Sequence, residues 1–184
     1  MHIGHYADED YGWEGLTEIP GYEQEYFLTK RLREVVDWIN NNHKKYNIKF
    51  VIVLGDISDS GEYSEFKKAR EILDDLDIPY IPVIGNHDIW PYIEGTVFEK
   101  PYENYFSLVF GDILNNLSKN PKFDLKAQFN EVLKNEVLNP HEVFWNYNFT
   151  YNGVKFIILD WVSRYIDPTK GQPVAWAAVT DETL

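Results

Sequence analysis

Two short apolar runs, each followed by a glycine, dominate the pattern of hydrophobic and polar positions in the first half of the chain. Residues 49–54 read KFVIVL and residues 79–84 read PYIPVI. Apolar runs of this length, without polar alternation, are typical of strands covered on both faces. The prolines at 79 and 82 favour the start of a strand or a sheet edge for the second run.

Segments with helical periodicity precede and separate these two predicted strands. Residues 23–43 carry apolar side chains at three- and four-residue spacings, namely Phe27, Leu28, Leu32, Val35, Val36 and Ile39. Residues 62–76 predict a second helix with an inward apolar face, made by Phe66, Ala69, Ile72, Leu73 and Leu76. The order of strand, helix and strand predicts a right-handed crossover between two parallel strands. Ligand sites in such sheets form at the carboxyl ends of the strands.

The middle of the chain changes character and predicts a helical insert over residues 100–143. Two short helices are expected within it, at 101–117 and at 122–138, with Phe, Leu and Ile supplying the packing. We find no catalytic pattern in this region. It therefore contributes to the fold rather than to the chemistry in our interpretation.

A β-hairpin is the clearest prediction for the last third. Strands at 144–151 and 154–160 flank Asn152-Gly153, a dipeptide that favours a tight hairpin turn. Residues 161–184 predict no regular element. Because the chain shows no internal repeat or linker, we expect residues 1–184 to form a single domain.

Composition narrows the classes of function. The chain has 30 acidic and 17 basic residues and a net charge of −13, which disfavours nucleic acid and anionic membrane surfaces as partners. It has no cysteine, so disulfides, thiolate catalysis and cysteine-based zinc sites are excluded. No apolar run approaches the roughly 20 residues of a membrane span. The polar, acidic start does not predict a signal peptide, so the cytoplasm is the default expectation.

The residues that follow the two strands carry the candidate chemistry. GDISD places Asp56 and Asp59 after the first strand, and GNHD places Asn86, His87 and Asp88 after the second. A carboxylate at the end of an apolar strand is costly to bury unless it is paired, hydrogen-bonded or bound to a metal. Taken singly, Asp59 could cap the next helix, Asn86 could be a turn residue and His87 a solvated loop residue. Two such motifs separated by one helix favour a shared site.

GDISD and GNHD resemble two sequence blocks of the calcineurin-like metallophosphoesterases. That family has Asp-x-His, Gly-Asp-x-x-Asp, Gly-Asn-His-Asp/Glu, a lone His and Gly-His-x-His in this order. His2 matches the end of the first block, and the resemblance extends over residues 1 to about 165. It implies an α/β fold, a four-layer α/β/β/α sandwich of two sheets. In this chain the resemblance predicts an incomplete version, a mixed sheet with helices, truncated at the C-terminus.

The resemblance also implies a binuclear metal centre. Asp56 would bridge two divalent ions, His2 would bind the first ion, and Asn86 would bind the second through its amide oxygen. Oxygen and nitrogen ligands without thiolate leave Mn, Fe, Zn, Ni and Mg as candidates. The nucleophile would be a hydroxide activated by the two metals.

Three further residues receive roles that involve no direct contact with the metals. His87 would face the scissile phosphate and protonate the leaving oxygen or stabilise charge on the phosphoryl group. Asp59 or Asp88 would orient neighbouring imidazoles from behind the ligands. The predicted substrate is a phosphoester, cleaved by phosphatase or phosphodiesterase chemistry.

The chain departs from the family pattern in its metal ligands. Of the seven that the pattern implies, it offers His2, Asp56 and Asn86, and it has no Gly-His-x-His. We therefore expect little or no activity from these 184 residues alone. The alternative function is a non-catalytic remnant of the fold that acts as an interaction module. A lone sheet would leave one face bare, so we also expect a homodimer that covers this face.

Overall fold

The structure is a computed structural model that describes residues 26–58, 61, 63–89, 103–127, 145–160, 162, 166–167 and 172–173. Three helices alternate with strands along these residues. The helices are α1 (Tyr26–Tyr46), α2 (Tyr63–Leu73) and α3 (Glu103–Ser118). The strands are β1 (Val51–Leu54), β2 (Tyr80–Val83), β3 (Asp124–Ala127), β4 (Tyr147–Tyr151), β5 (Val154–Ile158), β6 (Ile166–Asp167) and β7 (Gln172–Pro173).

The predicted strand–helix–strand order is confirmed in the first half of the chain. β1 and β2 are parallel neighbours, with Val51 opposite Tyr80 and Leu54 opposite Val83. Helix α2 connects them, and its apolar stripe is buried at Phe66, Ala69, Ile72 and Leu73. The carboxyl ends of both strands therefore lie at the same edge of this sheet.

Pro82 is compatible with strand β2 because its backbone nitrogen faces away from β1. Val51 N–H donates to the carbonyl of Pro79 at 2.9 Å, so alternate residues of β2 face β1. This alternation turns the missing N–H of Pro82 away from β1, where it costs no hydrogen bond of the ladder. The carbonyl of Pro82 instead accepts the buried hydroxyl of Tyr147 at 2.6 Å. Burial raises the pKa of the Tyr147 phenol well above its ordinary value, so the hydroxyl keeps its proton.

The second half forms an antiparallel sheet in the order β3-β4-β5. The predicted hairpin is confirmed, and its turn has positive φ at both Asn152 (48°) and Gly153 (80°), as a type I′ turn requires. Phe50, directly before β1, contacts four rings of this region at centroid distances of 5.3–5.6 Å. These rings are Phe123, Phe149, Tyr151 and Phe156. Aromatic packing thus connects the start of β1 with the antiparallel sheet.

Helices α2 and α3 share a second aromatic cluster. Its ring centroids lie 5.1–6.1 Å apart, and its members are Phe66, Phe106, Phe110 and Trp145. At the surface, Arg70 of α2 donates to both carboxylate oxygens of Asp112 of α3, at 2.6 and 3.0 Å. The same guanidinium contacts Asp74, which accepts the Tyr80 hydroxyl at 2.8 Å. This network ties α2 to α3 and to the start of β2.

Two predictions for the second half need correction. The helix predicted over 122–138 is wrong at Asp124–Ala127, which form β3 and pair with β4. The edge of β4 offers backbone hydrogen-bond partners from a distant part of the sequence, and these outweigh local helix propensity. The rest of that predicted helix lies outside the described residues. The short antiparallel pair β6–β7 falls in a region where we predicted no element.

The α/β fold class is confirmed, with a parallel pair, an antiparallel sheet and helices in the described residues. The hairpin exposes Val154 by 57% and Ile157 by 63%. The homodimer expected to cover a bare sheet face stays a prediction, as do the bounds of the insert. Among the described helices, none combines the length and the apolar character that crossing a membrane requires.

We predict that Tyr147→Phe lowers the free energy of unfolding by about 1–2 kcal/mol, because the buried carbonyl of Pro82 loses its donor. Chemical denaturation of both proteins measures the change. Tyr46→Phe is the matched control, since this ring is 55% exposed and we expect a change below about 0.5 kcal/mol. Equal losses of unfolding free energy in the two variants would show that this hydrogen bond does not stabilise the fold.

Candidate functional site

The chain turns sharply where β1 ends. Gly55 has φ of 77° and Asp56 has φ of 48°, so two successive residues adopt the left-handed conformation. The left-handed conformation is uncommon for residues other than glycine, although aspartate tolerates it better than most. The turn brings Asp56 towards the loop after β2, where its Oδ1 accepts the N–H of His87 at 3.1 Å. Such unusual backbone conformations occur preferentially at functional sites.

Glycines at the ends of both strands allow the two loops to touch. A Cβ added to Gly55 would lie 2.8 Å from the backbone nitrogen of Gly85. A Cβ added to Gly85 would lie 2.3 Å from Oδ1 of Asp56 and 2.4 Å from its backbone nitrogen. A residue larger than glycine at position 55 or 85 would therefore clash with the opposite loop. The sequence analysis treated these glycines as parts of motifs and missed their steric role, although a glycine after each apolar run was a visible signal.

Asp88 links the two loops through its buried carboxylate. Its Oδ1 accepts the backbone N–H of Ser58 at 2.8 Å and the Ser58 hydroxyl at 3.0 Å. Its Oδ2 accepts the N–H of Gly85 at 2.8 Å. The pKa of Asp88 is raised to about 6, mainly because burial disfavours the ionised carboxylate. The three hydrogen-bond donors lower this pKa, and the negative charge of Asp56 raises it. The expected contact of Asp88 with an imidazole stays a prediction.

Ser58 is a residue of this site that the sequence analysis missed. Its side chain is completely buried, and its hydroxyl oxygen accepts the N–H of Gly61 at 3.1 Å. The hydroxyl also lies 3.3 Å from the carbonyl oxygen of His87. A small polar residue between two motif aspartates carries no distinctive signal, because its role depends on a loop thirty residues away.

Four of the predicted site residues come together on the two loops. Asp56 lies at the end of β1, and Asn86, His87 and Asp88 form the turn after β2. The first three are partly buried, whereas Asp88 is completely buried. His2 and Asp59 lie outside the described residues. The roles proposed for all six stay predictions.

The donor chemistry of the described loops fits a divalent metal in part. The carboxylate of Asp56 and the amide of Asn86 offer oxygen ligands, which hard divalent ions prefer. A carboxylate has about four lone-pair positions, so acceptance from His87 N–H leaves Asp56 capacity for metal. Within the residues that the structure describes, no group of three or more His, Cys, Asp or Glu side chains is placed to hold a metal. Asp56 and Asn86 would therefore supply part of a larger ligand set.

Comparisons with known proteins find similarity to a family model and to a curated relative. A family model described as calcineurin-like phosphoesterase matches residues 2–177, a range that includes both loops, His2 and Asp59. An uncharacterized protein of Bacillus subtilis (strain 168), YvnB, is 42% identical over 57 residues. That alignment covers 29% of this chain and 4% of YvnB. The chain thus corresponds to a small fraction of the length of this relative.

We predict that Gly85→Ala destabilises the protein by about 3 kcal/mol, because the new methyl group overlaps Asp56 and forces the loops apart. The φ of Gly85 lies outside the left-handed region, so this variant isolates the steric effect. Thermal and chemical denaturation measure the loss.

Gly111→Ala in α3 is the control for this prediction. A Cβ at Gly111 would meet its nearest neighbour, a ring carbon of Trp145, at 3.9 Å, an ordinary contact. Because alanine favours helix, we expect Gly111→Ala to stabilise the protein by about 0.5–1 kcal/mol. If Gly85→Ala were tolerated as well as Gly111→Ala, the close approach of the loops would be wrong.

Proposed function

We propose a function for this chain from one premise: the chain belongs to the calcineurin-like phosphoesterase family. At the level of the family, this means metal-dependent phosphoester hydrolysis. We infer that the site on the two loops cleaves phosphomonoesters or phosphodiesters. Divalent ions bound there would neutralise charge on the phosphoryl group and activate a water molecule near neutral pH.

The observation that carries this proposal is the direct contact between the two loops. The hydrogen bond from His87 N–H to Oδ1 of Asp56 places the ends of β1 and β2 side by side. Asn86, the residue before His87, therefore lies next to the same carboxylate. A carboxylate and an amide oxygen on adjoining loops support a shared role in holding divalent ions, with His87 beside them.

The two ligands have complementary chemistry in this proposal. The carboxylate of Asp56 has two oxygens and can contact two ions, whereas the amide of Asn86 supplies one neutral oxygen. Divalent ions would reverse the local field, so an anionic phosphoester can approach although the chain has a net charge of −13. The identity of the metals and a role for His2 and Asp59 belong to the same proposal.

His87 is proposed to act on the substrate. Its backbone is held on both sides, by Asp56 at the N–H and by the Ser58 hydroxyl near the carbonyl oxygen. Its side chain is partly buried beside the proposed ligands. An imidazole carried on this backbone can donate a proton to the leaving oxygen or stabilise charge on the phosphoryl group.

The alternative proposal is a non-catalytic interaction module built on the same fold. It draws support from the described residues, which contain no group of three or more His, Cys, Asp or Glu side chains placed to hold a metal. Metal binding discriminates between the two proposals. A catalytic site requires Mn²⁺ or a similar ion to bind at Asp56, whereas an interaction module does not.

We predict that Mn²⁺-dependent hydrolysis of p-nitrophenyl phosphate or bis-p-nitrophenyl phosphate is slow at best, because the chain offers three of the seven ligands that the family pattern implies, and that EDTA abolishes it. Asp56→Asn should lower the rate at least about 100-fold, because it removes the carboxylate that neutralises and positions the ions. Release of nitrophenolate measures the rate, and comparison of the two esters separates monoesterase from diesterase activity.

Asp37→Asn is the control, because it makes the same chemical change at an exposed position of α1. We expect it to leave the rate unchanged. Turnover that survives Asp56→Asn would refute the assignment of this site. Absence of both turnover and calorimetric Mn²⁺ binding would favour the interaction module.

A further inference from the structure

The Ser58 hydroxyl lies behind the proposed ligands, between the two loops that carry them. We propose that Ser58 is a positioning residue of the site, which acts on the orientation of Asp56 through Asp88 and the backbone of His87. This inference rests on the proposed function of the same site. It adds a residue that does not touch substrate or metal, since Ser58 is completely buried.

The first step of the inference concerns the bonds between Ser58 and Asp88. Ser58 binds Oδ1 of Asp88 twice, through its backbone N–H at 2.8 Å and through its hydroxyl at 3.0 Å. The other oxygen of Asp88 accepts the N–H of Gly85 at 2.8 Å. Asp88 therefore holds the start of its own loop to the loop after β1. Removal of the Ser58 hydroxyl would weaken this connection while the backbone bonds remain.

The second step concerns the bonding capacity of the hydroxyl. A serine hydroxyl has one proton to donate and two lone pairs to accept with. Its oxygen accepts the N–H of Gly61 at 3.1 Å. Its proton is directed to Oδ1 of Asp88 at 3.0 Å, with the carbonyl oxygen of His87 at 3.3 Å as a second acceptor. The hydroxyl thus joins three points of the two loops, which alanine cannot do.

The third step connects this linkage to the ligand. The carbonyl of His87 lies near Ser58, and the N–H of the same residue donates to Oδ1 of Asp56 at 3.1 Å. A shift of the loop after β2 would therefore tilt the N–H that fixes the carboxylate. Groups that orient metal ligands from behind typically change metal affinity by about 10–100-fold when they are removed. We infer that Ser58 contributes to metal affinity in this way.

The test compares Ser58→Ala with Tyr80→Phe. Both variants delete a hydroxyl that donates to a carboxylate, but the Tyr80 bond to Asp74 lies at the opposite end of β2 from the site. Calorimetric titration with Mn²⁺ should show about tenfold weaker binding for Ser58→Ala, and unchanged binding for Tyr80→Phe. Denaturation of both variants separates the effect on affinity from the effect on stability.

A second readout uses the metal-free protein. Hydrogen exchange of the His87 amide should accelerate about tenfold in Ser58→Ala, beyond the change expected from its global stability. In Tyr80→Phe the exchange of this amide should follow global stability alone. Ser58→Thr retains the hydroxyl, so it should restore slow exchange and most of the Mn²⁺ affinity.

The two readouts keep this inference distinct from the proposed function. If the wild-type protein binds no Mn²⁺, the proposed function fails, and the exchange of the His87 amide still decides the inference. If Ser58→Ala loses stability but keeps wild-type exchange at His87, Ser58 is merely structural and the inference is overturned. If the wild type binds Mn²⁺, an equal affinity in Ser58→Ala would overturn the inference as well.

Discussion

The close approach of two backbones, at Gly55 and Gly85, is the constraint on which the candidate site depends. Neighbouring strands are held about 4.8 Å apart by their hydrogen bonds. Here a Cβ at either glycine would lie within 3 Å of the opposite loop, so the absence of side chains permits the contact. The left-handed turn at Asp56 then directs its carboxylate sideways, to the N–H of His87. Without this approach, the two loops that carry Asp56 and Asn86 would not adjoin.

Asp88 maintains this approach at an electrostatic cost. A completely buried carboxylate next to Asp56 is unfavourable in its ionised form, and its pKa of about 6 reflects this. The N–H groups of Ser58 and Gly85, together with the Ser58 hydroxyl, offset part of the cost. Two carboxylates at the ends of adjacent strands concentrate negative charge where divalent ions are proposed to bind. The same arrangement that disfavours the metal-free site therefore favours cations.

Local patterns predicted the elements that local interactions form. The strand–helix–strand order and the turn at Asn152-Gly153 were readable from apolar periodicity and from residues that tolerate positive φ. The strand β3 was not, because its partner residues in β4 are 20 to 26 positions away and its own composition suited a helix. Val35 was one of the apolar residues at helical spacing in the first predicted helix, yet its side chain is 49% exposed in α1. At the site, motifs identified Asp56 and the GNHD turn, whereas the role of Ser58 required the distance between two loops.

The second sheet also bears on the geometry of the site. The bond from Tyr147 to the carbonyl of Pro82 fixes β2 three residues before Gly85, on the side that faces away from β1. β2 is thus held by the parallel ladder on one side and by this side-chain hydrogen bond from the hairpin on the other. Ions that bind only the folded arrangement stabilise it in proportion to the logarithm of their concentration. Because the proposed ligands lie on loops joined by a few hydrogen bonds, binding of metal and ordering of the loops should reinforce each other.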